Sequence, residues 1–169
     1  MTEVVFETLR AEFSDAIDPA QITRIAVRLL LAALLGGALG DERERSGQAA
    51  GIRTHMLVAM GAALFVLVPH QAGMAIDGLG RVVQGIVTGV GFLGAGAIIK
   101  HRSRETVHGL TTAAGVWMTA AIGVACGLGR ETTAVVSTVL ALVVLTLVPH
   151  LLRKGETGGP ASLRPDDDR

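Results

Sequence analysis

Long uncharged stretches dominate this chain and predict helices that cross a membrane. Residues 82–99, 110–128 and 132–148 carry no charged side chain, and each stretch is 17 to 19 residues long. A hydrocarbon core about 30 Å thick requires about 20 residues of helix. A soluble domain of 169 residues cannot bury three such helices and still present a polar surface. The pattern therefore predicts an integral membrane protein.

Two shorter apolar runs, residues 29–40 and 56–68, complete the pattern. Asp18 and Pro19 form a typical helix start, with an N-cap residue followed by Pro at the first helical position. A helix from there to Gly40 is long enough to span. The second run reaches spanning length if Arg53 and His55 belong to its helix. We therefore expect an all-α bundle of about five transmembrane helices over residues 21–150.

The basic residues predict the direction of the bundle. Ten of the fifteen lie in residues 41–55, residues 100–108 and the segment after residue 150, which share one side of a five-helix bundle. The positive-inside rule then places the N-terminus outside and the C-terminus in the cytoplasm. Before the first span, residues 1–20 form an acidic leader with apolar residues at helical spacing (Phe6, Leu9, Phe13, Ile17). We expect this amphipathic leader to cap the bundle or lie on the bilayer, and residues 151–169 to be a disordered cytoplasmic tail.

Composition narrows the range of possible functions. The net charge of zero argues against a nucleic-acid partner, and one cysteine cannot form a disulfide framework within a chain. Residues 89–94 match the dinucleotide pattern G-x-G-x-x-G, but the match lies inside an apolar stretch without the strand and helix that give it meaning. We therefore expect no cofactor, no metal ligands and no catalytic residues, and we predict that the protein is not an enzyme.

Glycines in the fourth span have two interpretations. Small residues four apart allow membrane helices to approach closely, whereas crowded glycines can also mark irregular backbone lining a cavity. The spacing favours helix packing, and with it self-association, most simply as a homodimer. The candidate packing residues are Gly85, Gly89, Gly91, Gly94 and Gly96, with Gly36/Gly40 and Gly123/Gly127 at the same four-residue spacing.

Charged side chains near the bilayer are costly unless they are paired or hydrated. Arg28 either extends to lipid phosphates or pairs with Asp77 or Glu131, the acids expected at its depth. The polar or charged residues of interest within the spans are Arg28, Asp77, Arg81, Gln84, Thr111 and Thr112. Trp117 lies in the middle of its span, and we expect it in the core.

The densest cluster of charge follows the first span. Asp41 and Arg45 are helical i,i+4 partners, while Glu42, Arg43 and Glu44 lie between them. One interpretation is a solvated turn. The alternative, which we prefer, is a folded polar cluster in which Glu42 and Glu44 face Arg53 and His55. Mg²⁺ needs few carboxylates, but the neighbouring arginines compete for them, so we predict no dedicated metal site.

Several blocks of the chain resemble the MgtC/SapB family of bacterial inner-membrane proteins. They run in order through GDERE (40–44), AGIRTH (50–55), Asp77, Arg81, Gln84, GVGFLGAG (89–96), GLTTAA (109–114), Trp117 and TAAIG (119–123). The resemblance implies a five-helix membrane domain and a link to growth in low magnesium, to virulence and to stress. It also implies regulation of membrane partners such as the F-type ATP synthase. Many members carry a C-terminal ACT-like domain, which we expect this chain to lack.

The sequence leaves two functions open. One is a regulatory membrane protein, whose polar cluster is paired and packed. The other is a small transporter or channel for Mg²⁺, another ion or protons, in which Glu42, Glu44 or Arg28 lines a hydrated cavity.

Overall fold

A computed structural model of the chain describes residues 1–12, 18–99 and 109–155. In these ranges it is all-helical. The helices are α1 (Thr2–Glu12), α2 (Pro19–Arg45), α3 (Ile52–Gln71), α4 (Ile76–Ile99), α5 (Leu110–Gly127) and α6 (Glu131–Gly155). Helices α2 to α6 are each long and apolar enough to cross a membrane. The predicted multi-pass membrane protein with five spans is confirmed, and its direction in the membrane stays a prediction.

The predicted helix starts are also confirmed. Asp18 is the N-cap of α2, its side chain accepts a hydrogen bond from the Ala20 amide at 2.9 Å, and Pro19 follows at the first position. Helix α3 begins at Ile52, so Arg53 and His55 extend the short second run to 20 residues. Helix α2 continues past Gly40 to Arg45, and the charged cluster therefore begins on a helix rather than in a loop.

Helix α5 lies at the centre of the bundle. It contacts α2, α3, α4 and α6, and 44% of its membrane window is buried, compared with 11% for α4 and for α6. Helices α2 and α3 form an antiparallel pair against it. The buried apolar layer between these three helices consists mainly of small residues, and it includes Ala32, Ala59, Ala63, Ile122 and Cys126.

Two glycine pairs allow this close packing. A Cβ added to Gly36 would lie 2.6 Å from the His55 carbonyl oxygen, and one added to Gly40 would lie 2.6 Å from the Ile52 Cα. On α5, a Cβ on Gly123 or Gly127 would collide with the α3 backbone. Among apolar helices in lipid, such contact replaces the hydrophobic effect as the source of association.

The glycines of α4 behave differently. A Cβ at Gly94 would touch Ala113 of α5 at 3.4 Å, but Gly85, Gly89, Gly91 and Gly96 have no atom within 4 Å of that position. For these four, the predicted packing role is not met inside one chain. The reason is that α4 is a flanking helix, and only its opposite side meets the bundle.

Two further expectations concern the periphery. Helix α1 has no buried residue and contacts none of the other described helices, so a capping role has no support within a single chain. Phe13 and Ile17 of the leader, and residues 156–169 of the tail, lie outside the described residues. The expectation that Trp117 is a core residue is wrong, because it is 48% exposed and lines a groove between α4 and α5 with Val83 and Val87.

Candidate functional site

The polar cluster at the end of α2 is folded, and its first member is a buried ion pair. Arg43 is only 4% exposed, and its Nη1 lies 3.4 Å from Glu42 Oε2. The other carboxylate oxygen, Oε1 of Glu42, accepts a hydrogen bond from Ser46 Oγ at 2.8 Å. Both oxygens of Glu42 therefore have partners within the first turn after the span.

Glu44 has a different task, which is to cap the next helix. The backbone amide of Ile52, at the first position of α3, donates to Glu44 Oε2 at 3.0 Å. The N-cap residue Gly51 has no side chain for this role, and a Cβ there would lie 2.5 Å from the same oxygen. A carboxylate at a helix N-terminus satisfies an unpaired amide and interacts favourably with the helix dipole. On the exposed side, Asp41 and Arg45 form the predicted i,i+4 pair at 2.9 Å.

His55 is buried one turn further into the membrane region. It is 0% exposed, and its Nδ1 is joined to Thr119 Oγ of α5 by a 2.7 Å hydrogen bond. Thr119 Oγ also donates to the Gly115 carbonyl of its own helix at 2.9 Å. The His55 ring borders a cavity of about 340 Å³ between α2, α5 and α6, together with Thr111.

Glu44 reaches the start of α3 as a folded cluster requires, but the pairs expected between Glu42 or Glu44 and Arg53 or His55 do not form among the described residues. Glu42 pairs with Arg43 and Glu44 with a backbone amide, whereas His55 turns to Thr119. Arg53 is exposed and forms no ion pair with any described residue. The helix explains the difference, because residues two apart on a helix do not share a face.

Gln48 is a member of the polar cluster that the sequence did not suggest. Its side-chain oxygen accepts a hydrogen bond from Thr112 Oγ at 2.7 Å, and Thr112 is 1% exposed. The bond joins the α2–α3 loop to the first turn of α5. No periodic or charge signal marks Gln48, and only the proximity of the two segments reveals it.

Two buried polar atoms of the described side chains have no hydrogen-bond partner. They are Nε of Arg43 and Nε2 of His55. Buried polar groups are usually paired, so unpaired atoms of this kind mark a place where a binding event could add hydrogen bonds.

A second polar layer lies at the other end of α2. Nη1 of Arg28 donates to the Gly127 carbonyl at 3.1 Å, and its Nε lies 3.9 Å from Glu131 Oε1. Gly129, which has a positive φ of 72°, leaves the space that the guanidinium occupies. Arg28 thus neutralises the carbonyl end of α5. Of the two candidate acids, Glu131 is the partner and Asp77 is exposed elsewhere.

The remaining predicted residues lie on the outward side of α4. Asp77, Arg81 and Gln84 are all exposed. Beside them, α3 and α4 diverge and enclose an apolar groove of about 590 Å³ that is lined by Gly61, Gly85, Gly89 and larger apolar residues. These exposed side chains do not form a catalytic or binding site among the described residues of one chain.

The arrangement limits what the site can do chemically. Among the described residues, no three His, Cys, Asp or Glu side chains come together in a way that could hold a metal ion. The carboxylates of the cluster are committed to Arg43, Ser46, Arg45 and the α3 N-terminus. These paired carboxylates therefore stabilise the end of the bundle, and Arg53 is exposed on its surface.

Comparison with known proteins identifies relatives over most of the chain. SrpB of Synechococcus elongatus is 46% identical over 140 residues, which cover 76% of this chain and 77% of SrpB. YhiD of Escherichia coli strain K12, which is named as a candidate magnesium transporter, is 42% identical over 74% of this chain and 60% of its own length. MgtC of Salmonella typhimurium strain LT2 is 46% identical over 69% of this chain.

The chain spans only about half of the MgtC relative, since the match covers 48% of that protein. No solved structure matches the chain. A sequence model of the MgtC family matches residues 29–154, which include α3, α4 and α5, most of α2 and α6, and the polar cluster at the C-terminal end of α2. The chain therefore belongs to the MgtC family.

Proposed function

We propose that this chain is a non-enzymatic membrane protein that regulates a membrane partner during adaptation to low magnesium or acid. The family resemblance suggests the F-type ATP synthase as that partner. One observation carries the proposal: in each polar layer the buried or half-buried carboxylate pairs with an arginine, Glu42 with Arg43 and Glu131 with Arg28, and an apolar layer separates the two.

The apolar layer is closed. Ala32, Ala59, Ala63, Ile122 and Cys126 are each at most 1% exposed. Along α2, the distance from Arg28 to Gly36, where α2 meets His55, is eight residues or about 12 Å. An ion crossing between α2, α3 and α5 would have to traverse this distance past apolar side chains, at a cost of several kcal/mol.

The charges at the inner end also suit a packed surface better than a transport site. A transported cation needs oxygen atoms that exchange for its water. Here both oxygens of Glu42 interact with Arg43 and Ser46, and Oε2 of Glu44 accepts the Ile52 amide. A fixed, paired end of the bundle with an exposed Arg53 is suited to contact another protein.

The second candidate function is a small transporter or channel for Mg²⁺, another ion or protons. The name of YhiD favours it, as do three carboxylates within four residues at one end of the bundle, Asp41, Glu42 and Glu44. A path of this kind would have to form between copies of the chain or require the pairs of the cluster to open.

A flux measurement separates the two functions. Purified protein is reconstituted into liposomes, and Mg²⁺ uptake is compared with empty liposomes and with the Glu42→Gln variant, which keeps the side-chain shape. We expect flux no greater than in empty liposomes. Saturable uptake by the wild type that is lost in Glu42→Gln would overturn the regulatory proposal in favour of transport.

The regulatory proposal has its own test. Inverted membrane vesicles containing F-type ATP synthase are assayed for ATP-driven proton pumping with and without the protein. We expect the protein to lower pumping, Arg53→Gln to weaken this effect, and Arg24→Gln at the opposite end to leave it unchanged. Unchanged pumping in the presence of folded wild-type protein would contradict the ATP synthase as partner.

A further inference from the structure

One side of α4 carries a polar stripe that faces away from the bundle. Its members are separated by four, three, four, three and four residues, and every one of them is exposed: Asp77, Arg81, Gln84, Thr88, Gly91 and Ala95. This spacing is that of the a and d positions of a coiled coil, which lie along a single seam. The stripe is about 27 Å long.

The exposed side of α6 makes a useful contrast. That helix is equally unburied, but its exposed residues are large aliphatic side chains such as Val136, Val139, Leu140 and Val144. Lipid chains satisfy such a surface. The α4 stripe instead offers lipid an amide, two charges and two small residues, so its sequence fits contact with protein.

Gln84 is the residue that most favours contact with protein over contact with lipid. Asp77 and Arg81 lie in the first turns of α4 and can reach the interface, whereas Gln84 is eight residues, or about 12 Å, from the start of the helix. Thr88 satisfies its hydroxyl by donating to the Gln84 backbone carbonyl at 2.9 Å. No hydrogen bond to the Gln84 side-chain amide is formed within the described part of the chain. Membrane helices commonly bond such amides to one another.

We propose that the α4 stripe is the docking surface for a second copy of this chain. The two α4 helices would pack in parallel around a two-fold axis normal to the membrane. This inference does not depend on the proposed function, and it assigns the interface to particular residues.

Charge complementarity identifies the occupant as a second copy. Neither Asp77 nor Arg81 forms an ion pair with another described residue, and the stripe holds one acid and one base a single turn apart. Around a two-fold axis each residue lies level with its own equivalent, and Arg81 lies about one turn, about 6 Å along the axis, beyond Asp77. Long side chains on a helix point back toward its N-terminus, so Arg81 of each copy can reach Asp77 of the other, and two ion pairs form. Gln84 meets its own equivalent, and an amide both donates and accepts. Gly91 and Ala95 then allow the two backbones to approach closely.

The first experiment is cysteine cross-linking in native membranes. Ala95→Cys lies on the stripe, and Leu93→Cys, at an exposed position two residues away, lies on the opposite side of the helix. We expect oxidation to give a disulfide-linked dimer for Ala95→Cys only. The wild type, whose single Cys126 is 0% exposed, serves as the background. Equal cross-linking of both variants, or linkage of Ala95→Cys to a different protein, would overturn the proposal.

The second experiment tests the ion pairs by exchanging charges in that Ala95→Cys background. Asp77→Arg and Arg81→Asp are each expected to dimerise poorly alone, because like charges then oppose each other. Co-expressed with different tags, they should cross-link as the mixed dimer. A structural role in folding would not produce this preference, and no preference for the mixed dimer would refute the pairing.

The Gln84→Leu variant measures how much the amide contact contributes to dimerisation. Loss of the amide contact should weaken dimerisation about 3- to 15-fold in detergent, since interhelical hydrogen bonds of this kind are modest. Gln71→Leu, the same chemical change at an exposed position on the end of α3 and off the stripe, is the matched control and should change the dissociation constant less than twofold. Equal effects of the two variants would exclude Gln84 from the interface.

Discussion

The close contact of α5 with α3 makes a specific prediction for Gly123→Ala. An added Cβ would lie 2.9 Å from the carbonyl carbon and the Cα of Ala59, whereas carbon atoms in contact prefer about 3.5–4.0 Å. The two helices would therefore have to separate by about 0.6 Å or more. Such a gap forfeits about a quarter to a half of the contact energy of the atoms that line it.

Gly61→Ala on α3 is the matched control. No atom lies within 4 Å of its Cβ position, and both substitutions gain the same helix propensity. The difference between the two variants thus isolates the packing contribution, which we expect to be about 1–3 kcal/mol against Gly123→Ala.

The single cysteine supplies the assay. Cys126 is 0% exposed and follows Gly123 by one turn of α5, so a maleimide can reach its thiol only when the bundle opens. In detergent micelles under native conditions, the labelling rate reports the free energy of that opening. We expect Gly123→Ala to be labelled about 5- to 140-fold faster than Gly61→Ala. Equal rates for the two variants would refute the inferred contact between α3 and α5.

Two further predictions concern buried and capping polar groups. Thr119→Val should destabilise the bundle by about 1–3 kcal/mol more than Thr138→Val, because both buried threonines bond their own helix but only Thr119 also bonds His55; equal Cys126 labelling rates would contradict this. Glu44→Ala should lower the thermal midpoint through loss of the α3 cap, worth about 0.5–2 kcal/mol, whereas Asp41→Ala removes an exposed ion pair worth about 0.3–0.5 kcal/mol. A larger shift for Asp41→Ala would show that Glu44 is not the cap.

The five spans were predictable because hydropathy is a property of consecutive residues. A stretch without charge that is long enough to cross the bilayer must form a helix there, since lipid offers no partner for its backbone. The start of α2 was predictable for a similar reason: Asp18 and Pro19 act on amides within two or three residues of themselves. The pair of Asp41 and Arg45 is equally local, and it was found from spacing alone.

The site shows where such local reasoning ends. The sequence predicted a charged cluster at the C-terminal end of α2 and offered Asp77 and Glu131 as partners for Arg28, because both inferences follow from depth along a helix; the structure selects Glu131. The sequence could not choose Thr119 for His55 or Gln48 for Thr112, which are 64 residues apart in each case. Those choices depend on the rotation of α3 and α5 about their axes.

The glycines show the same limit of reasoning from local spacing. Sequence alone determined that small residues recur at four-residue spacing in three helices, and that one copy of the chain contains a membrane bundle. Only the tertiary structure decided that Gly36, Gly40, Gly123 and Gly127 pack against other helices, while no atom lies within 4 Å of the Cβ position of Gly85, Gly89, Gly91 or Gly96. Spacing fixes which residues share a face of a helix, but which face meets a neighbour is set by the packing of the whole bundle.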